Sequence, residues 1–367
     1  MNFENDKRIV MTLDAGGTNL VFTAIQGNKQ IIDEIKYPSQ PKDLEKMLST
    51  LVDGFNEVKS KLPAEPVAIS FAFPGPADYP NGIIGDLPNL PAFRGGVALG
   101  PFLENKFNIP VFINNDGDLY AYGEAIFGFL PEINQKLKDA GSPKQYRNLF
   151  GLTLGTGFGS GIVRDGELFV GDNSGAGEIW LMRNKLAPHL NIEEHGSIRG
   201  VKRVYANLTG ISFDETPEPK VLFEIANGEK EGNKDAAITA FKTMAEAVGD
   251  SISNAITLID GLIVIGGGLS GASDLFMPHL VDEMNSNFKK DDGTLFRRLT
   301  QKVYNLESNT ELENFLKGST KELPIIGTDK TIKYDPETRI GVGISKIGTS
   351  LAISLGAYAF AINQLNK

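Results

Sequence analysis

Short apolar runs alternate along this chain with glycine turns and with stretches of helical period. Arg8 to Leu13 reads as a strand, the turn Asp14-Ala-Gly-Gly-Thr18 follows, and a second strand runs from Leu20 to Ile25. Gly27-Asn28-Lys29 then turns the chain into a third strand, Ile31 to Lys36. Strands joined by so few residues must be antiparallel, so the opening is a hairpin meander. Ser39 and Pro41 start a helix in which Leu44, Met47, Leu48, Leu51, Val52, Phe55 and Val58 recur at helical spacing, and Pro63 stops it. Val67 to Phe73 is a short buried strand, and a Pro- and Gly-rich loop runs from Pro74 to Arg94. A short helix near Phe102 to Phe107 leads to the strand Val111 to Ile113, which ends in Asn114-Asn115-Asp116; a helix from Leu119 to Phe127 comes next.

Residues 131–148 are polar and read as a surface insertion. The opening device then recurs: strand Leu149 to Leu154, glycine turn Gly155 to Gly159, return strand Ser160 to Arg164, and the turn Asp165-Gly166. No strong sequence repeat accompanies it. Helices are expected near Ile198 to Asn207, Lys220 to Asn227 and Ala236 to Leu258. Leu262 to Ile265 is a buried strand feeding Gly266-Gly267-Gly268 and a helix from Asp274. Residues 285–330 read as another surface excursion. The last helix, from Ile347, carries Leu351, Ile353, Leu355, Ala357, Phe360 and Ile362 nearly all the way round, so it needs cover on most sides. Meanders alternating with helices predict an α/β protein with mixed sheets, in two similar halves.

The length, 367 residues, is enough for two to three domains and a core without staples. There is no cysteine. That excludes a disulfide framework, a cysteine nucleophile and thiolate zinc or iron–sulfur sites, and it fits a reducing compartment. A formal net charge of −10 argues against nucleic acid or an anionic membrane as partner. The N-terminus is polar, with no secretory or spanning segment, so a cytoplasmic protein is expected. Glycine is the outlier, with 41 residues clustered between apolar runs rather than spread as a linker. Such clusters mark tight turns or backbone that a ligand approaches closely.

A glycine turn can offer several backbone N–H groups to a phosphate. No Walker A string occurs. Gly266-x-Gly268-x-x-Gly271 matches a dinucleotide fingerprint, but the polar stretch from Glu283 to Lys290 stands where a strand ending in an acid is required. A tight structural turn and another kind of nucleotide contact remain as alternatives there. In Asp14-Ala-Gly16-Gly17-Thr18 an acid at a strand end could hold Mg²⁺ through water while amides and the Thr18 hydroxyl face phosphate oxygens. The competing reading is a hairpin turn with an Asx cap. Thr153-Leu-Gly-Thr156-Gly157-Phe-Gly159 repeats the device with two hydroxyls, and two facing hairpins of this kind would make a phosphate clamp. Asp116, at a strand C-terminus, is the candidate general base, with Asn89 and Asn115 as uncharged partners for a polyhydroxyl ligand. Asp118 is the rival carboxylate, and a helix-capping role for Asp116 is the alternative.

In their order, DAGGT, PGPAD…GII…PNL, NND followed by GEA, TLGTGFGSGIV, GAGE and IGGGLS resemble the ROK family (repressors, open reading frames and kinases) of the sugar kinase, Hsp70 and actin superfamily. The resemblance covers nearly the whole chain. It implies two ribonuclease-H-like (actin-like ATPase) domains with ATP and a sugar in the cleft between them. The domains would be residues 1–117, completed by the C-terminal helix 346–367, and residues 118–345. By resemblance, Asp14, Gly16, Gly17, Thr18, Thr156 and Gly157 would handle phosphates and Mg²⁺. Gly266, Gly267 and Gly268 would lie near the adenosine, and Gly75, Asn89, Asn115, Asp116, Glu178 and Glu193 would line the sugar. Homodimerisation is compatible with the resemblance. One departure stands out. The family commonly has Gly-Glu-Ile-Gly-His and then a Cys-rich zinc loop; here the string is Gly177-Glu178-Ile179-Trp180-Leu181, with Leu181 in the histidine's place. The zinc site is expected to be lost, and His189, His195 and His279 have no spacing that would rebuild it.

The resemblance implies an ATP-dependent hexose kinase, glucokinase- or hexokinase-like, with glucose as the default acceptor and fructose, mannose or an N-acetylhexosamine behind it. A sugar-responsive repressor of the same family would need a DNA-binding module ahead of the first strand, and only seven residues precede Arg8. A non-catalytic sugar-binding protein is the third reading, and Asp116 and both phosphate turns speak against it.

Overall fold

The computed structural model describes residues 3–15, 19–40, 42–75, 77–85 and 91–367. The chain falls into two compact units. The first comprises Met1–Gly128, Gly161–Gly177 and Ile347–Lys367, the second Phe129–Ser160 and Glu178–Lys346.

In the first unit β1 (Ile9–Ala15) and β2 (Asn19–Gln26) pair antiparallel, Asp14 opposite Val21. The expected third strand is divided. β3 (Lys29–Gln30) pairs with the end of β2, and β4 (Ile35–Pro38) returns to the same strand, Ile35 opposite Phe22. Helix α1 (Leu44–Lys61) opens on Asp43, whose carboxylate accepts the N–H of Lys46 at 3.1 Å, rather than at Ser39; Pro41 lies outside the described residues. β5 (Ala68–Ala72) follows. The Pro- and Gly-rich loop contains β6 (Ala77–Asp78) and β7 (Ile83–Ile84), which form a small antiparallel sheet with β8 (Val97–Ala98) just beyond the loop. Helix α2 (Leu99–Phe107), β9 (Val111–Asn114) and helix α3 (Asp116–Ile126) complete this stretch. The main sheet has the order β3-β2-β1-β5-β9. β1, β5 and β9 are parallel, with Asp14 opposite Ala72 and Ala72 opposite Asn114, so their C-terminal ends are level.

The core on one face of this sheet is aromatic. Phe22 meets Phe55 edge to face at 5.1 Å between centroids, and Phe71 and Phe73 continue the series. Each fully buried Phe contributes about 1.5–3 kcal/mol of transfer free energy. α1 can lie this close because Gly54 leaves room for the Phe22 ring. The C-terminal helix spans Thr349–Leu365, two residues later than its apolar pattern suggests, and packs on α3, β1 and β5.

In the second unit residues 131–148 are not a simple surface insertion. Half of the segment, 131–139, lies in helix α4 (Phe129–Asp139), because Leu130, Ile133 and Leu137 recur at i, i+3 and i+7 and are buried together with Phe129. β10 (Leu149–Leu154) and β11 (Phe158–Arg164) form the second hairpin. The far end of β11, within the first unit, pairs with β12 (Glu167–Phe169). Asp165 (φ 54°) and Gly166 (φ 81°) between them take the left-handed backbone that a two-residue hairpin requires. Helices α5 (Ile198–Thr209), α6 (Pro219–Asn227) and α7 (Lys234–Ile259) precede β13 (Leu262–Gly266) and helix α8 (Ser273–Met284).

The stretch 285–330 divides into exposed and buried parts. β14 (Asn287–Lys289) with β15 (Leu295–Arg297) is an exposed hairpin. β16 (Lys302–Asn305) is buried at the sheet edge and leads to helix α9 (Asn309–Lys317). β17 (Lys321–Pro324) with β18 (Thr331–Tyr334) is a second exposed hairpin. β19 (Arg339–Ile344), invisible to the hydrophobic pattern, lies between β13 and β16. Its glycines have structural reasons: a Cβ at Gly341 would run into the Leu306 side chain, and one at Gly343 into the Phe129 ring. The order β11-β10-β13-β19-β16 repeats the plan of the first sheet, a hairpin followed by parallel strands.

Candidate active site

Level strand ends in the first unit place Asp14, Gly75 and Asn115-Asp116 along one edge of the sheet. Two strand spacings separate β1 from β9, about 10 Å. Asn115 is the N-cap of α3, its side-chain oxygen accepting the N–H of Gly117 at 2.8 Å. The cap is therefore supplied by the neighbour, and Asp116 stays exposed, with Oδ1 2.9 Å from the same N–H. Asp118 is only 3% exposed, so of the two rival carboxylates Asp116 is the one a substrate can reach. Loss of solvent raises the Asp116 carboxyl above its ordinary value, while the Gly117 N–H opposes the shift. The residue as a whole is exposed while its carboxyl is desolvated.

Asp14 is also raised, first by burial, then by the negative charge of Asp116 and of Glu34; a hydrogen bond from the Ser350 hydroxyl pulls the other way. A carboxylate at a strand edge, as Asp14 is, suits a hydrated divalent cation. Ser350 lies in the first turn of the C-terminal helix, and nothing in the local sequence signals its partnership with Asp14. Gly75 is exposed, and a Cβ there would come within 2.9 Å of the Tyr79 hydroxyl, which donates to Phe73 O at 2.9 Å. Gly16, Gly17, Thr18 and Asn89 lie outside the described residues.

In the second unit the parallel register of β10 and β13 sets Thr153 opposite Gly266, which brings the two glycine turns side by side. The Cβ position of Gly155 is 3.9 Å from the N–H of Gly268. The first turn is closed by the Gly155 N–H donating to Gly157 O at 3.0 Å, with Thr156 exposed at its tip. Gly266 is buried as the last residue of β13. Gly267 has φ 88°, and a Cβ there would strike the Leu154 carbonyl, so no other residue fits. Gly268 is exposed and has nothing within 4 Å of its Cβ position, leaving its backbone open to a ligand. A dinucleotide fold is ruled out here, because the stretch that should form the next buried strand is the exposed hairpin strand β14.

The two glutamates part company. Glu178 accepts a hydrogen bond from the indole N–H of Trp180. Glu193 is turned onto the first glycine turn. Its Oε2 accepts the N–H of Phe158 at 3.1 Å, and a Cβ at Gly157 would sit 2.9 Å from that oxygen. Its Oε1 accepts from Arg199 at 3.0 Å. Arg199 is a residue that sequence reasoning missed, since no spacing rule joins it to Glu193. The family's zinc does not fit: there is no cysteine, no group of three metal-binding side chains occurs among the described residues, and Nδ1 of His195 is occupied by Asn184.

Comparison with known proteins gives the family and the fold. The ROK family profile matches residues 10–303. N-acetyl-D-glucosamine kinase of Vibrio cholerae serotype O1 is 28% identical over 275 residues, 70% of this chain and 83% of that protein. The same enzyme of Aliivibrio salmonicida is 30% identical over 278 residues, with the same coverage. Glucokinase from Parabacteroides distasonis is 55% identical, with a TM-score of 0.91 and 99% of both chains covered. The ROK hexokinase of Thermus thermophilus, at 18% identity and TM-score 0.66 over 97% of this chain and 99% of that one, shares the fold. That fold is the actin-like ATPase architecture. Profile, relatives and the doubled strand plan agree, and the chain belongs to the ROK family.

Proposed function

We propose that this chain is an ATP-dependent hexose kinase with glucose as acceptor and Asp116 as general base. One observation carries the reading: Asp116 is exposed at a strand C-terminus, relieved of helix capping by Asn115, and desolvated enough to raise its proton affinity. A carboxylate in that state can take the proton of a primary sugar hydroxyl as its oxygen attacks the γ-phosphate. Asn115 and Gly75, on the same edge, and Glu178 supply hydrogen-bonding partners for the sugar. Thr156 and Gly157 would face a nucleotide's phosphates, and Gly266 to Gly268, exposed at Gly268, would lie near the adenosine. Asp14 would hold Mg²⁺ through water, and the ion when bound neutralises phosphate charge. Phosphoryl transfer depends mainly on positioning and charge neutralisation, so these groups suffice.

Glucose is preferred because the 55% identical protein, matched over 99% of both chains, is a glucokinase. The N-acetyl-D-glucosamine kinases at 28–30% identity support an N-acetylhexosamine as the second reading. The deciding experiment is a coupled ADP-release screen with glucose, fructose, mannose, N-acetylglucosamine and N-acetylmannosamine. ADP release that requires glucose, ATP and Mg²⁺ is the expected result. Turnover with N-acetylglucosamine alone would select the second reading, and release with no sugar in the panel would sink both.

A further inference from the structure

The loop from Met182 to His195 is closed by its own backbone. The Ile192 N–H donates to Met182 O at 2.8 Å, Arg183 and Asn191 form an antiparallel bridge, and the Asn184 N–H reaches Leu190 O at 3.1 Å. Inside the loop lies the side chain of Asn184, 0% exposed. Its oxygen accepts from the N–H groups of Leu186 (3.0 Å) and Ala187 (3.3 Å). Its nitrogen faces Asn191 O at 3.2 Å and His195 Nδ1 at 2.7 Å. Backbone N–H groups only donate and a backbone carbonyl only accepts, so the amide can point one way only. Nδ1 of His195 must then be the acceptor, which requires the neutral ring protonated at Nε2. Burial and the nearby Arg203 charge lower the His195 pKa and favour that neutral form.

The far end of this loop carries Glu193 onto the glycine turn. Ile192 to Glu194 is a short turn closed by the His195 and Gly196 N–H groups on Ile192 O, at 3.0 and 2.8 Å. The Ser197 hydroxyl donates to Glu193 O at 2.7 Å, and the Ile198 N–H donates to Gly155 O at 2.8 Å. From there the Glu193 carboxylate takes the Phe158 N–H. We propose that Asn184 is a positioning residue that, by filling and orienting this loop, fixes the Glu193 carboxylate on the Gly155–Phe158 turn and so sets the shape of the phosphate-binding backbone. The functional half of this statement rests on the reading of that turn given above; the structural half does not.

The test is amide hydrogen exchange on the full chain without ligand, followed at residues 155–160, beside steady-state kinetics. In Asn184→Ala the Phe158 amide should exchange faster while the strands of both sheets keep their protection. The KM for ATP should rise about tenfold or more, as misplacement of a binding group predicts. Unchanged exchange at Phe158, or loss of protection throughout the second unit, would overturn the proposal. If Asn184→Ala does not fold, Asn184→Asp serves: it keeps the volume and the two accepted bonds, loses the bond donated to Asn191 O and reverses the His195 contact, since a carboxylate can only accept from an Nδ1–H, and the same readouts apply. A wild-type chain that phosphorylates no sugar would remove the kinase reading, while the exchange comparison would still decide for or against Asn184.

Discussion

The indole N–H of Trp180 donates to the Glu178 carboxylate. Trp180 is the only tryptophan, half-buried, and Glu178 is a proposed sugar ligand. A sugar that engages Glu178 must change the field at the indole, so emission should report binding without deconvolution. Titrating hexoses should give a saturable change for the true substrate and little for the others, and Glu178→Gln should both shift the unliganded emission and blunt the response. A chain that turns over a sugar whose binding leaves the emission unmoved would remove Glu178 from the sugar site.

Asp116→Ala should lower kcat at least ~100-fold, the lower edge for loss of a general base, with a modest change in sugar KM. Asp116→Asn should be as inactive but should melt higher than the wild type at neutral pH. The sign follows from linkage: a carboxyl whose folded pKa is raised contributes stability below its unfolded pKa and loses it as pH rises through the folded value. At neutral pH the ionised Asp116 is a cost to folding, and the neutral amide removes it. The acid limb of kcat/KM should correspondingly lie above the ordinary aspartate value of 3.8. Full turnover in either variant would end the role of Asp116 as base.

What the sequence made legible was whatever only one residue type can do. Gly267 has no alternative beside Leu154 O, and Asp116 stands where a strand end presents a carboxylate, so both were readable from residue type and place. Period signals failed where they were short or diluted. α4 shows three apolar positions within a polar stretch, and β19 has its alternation hollowed out by Gly341 and Gly343, which are small because Leu306 and Phe129 fill their space. Side-chain choices between distant residues were not legible at all. Nothing local indicates that Asn115 rather than Asp116 caps α3, that Glu193 turns to Phe158 and Arg199, or that Asn184 closes its loop.

α3, whose first residue is Asp116, is held by a glycine contact. A Cβ at Gly123 would run into Ala352 O on the C-terminal helix, and one at Gly356 into Leu119 O on α3. Both obstacles are backbone, which cannot rotate away. Gly356→Ala should therefore destabilise the protein by about 1–3 kcal/mol, the usual range for overpacking, and lower the melting temperature. Gly271→Ala is the control, since nothing lies within 4 Å of its Cβ position and its backbone is not left-handed. Deleting residues 346–367 should leave the protein insoluble or unfolded. Equal melting of Gly356→Ala and wild type would mean that the two helices can separate without cost.

His195 gives the loop a pH response whose direction can be worked out. Its folded pKa lies below the ordinary 6.5, through burial first and the Arg203 charge second, with Glu194 opposing. A depressed histidine contributes stability that is complete above the unfolded value and is lost as pH falls through the folded one. The geometry says where the loss appears: a proton on Nδ1 would face the donor nitrogen of Asn184, replacing a 2.7 Å hydrogen bond with two opposed donors. Between about pH 6.5 and the range where carboxylates titrate, the loop from Met182 to His195 should open before the sheets do. Trp180 emission and hydrogen exchange at residues 182–195 would follow that opening. His195→Gln keeps an acceptor for the Asn184 amide but has no proton to gain, so it should abolish the transition while leaving melting at pH 8 little changed. The same transition in His195→Gln would assign the response to another group, with Glu194 and its partners Arg199 and Arg203 next in line.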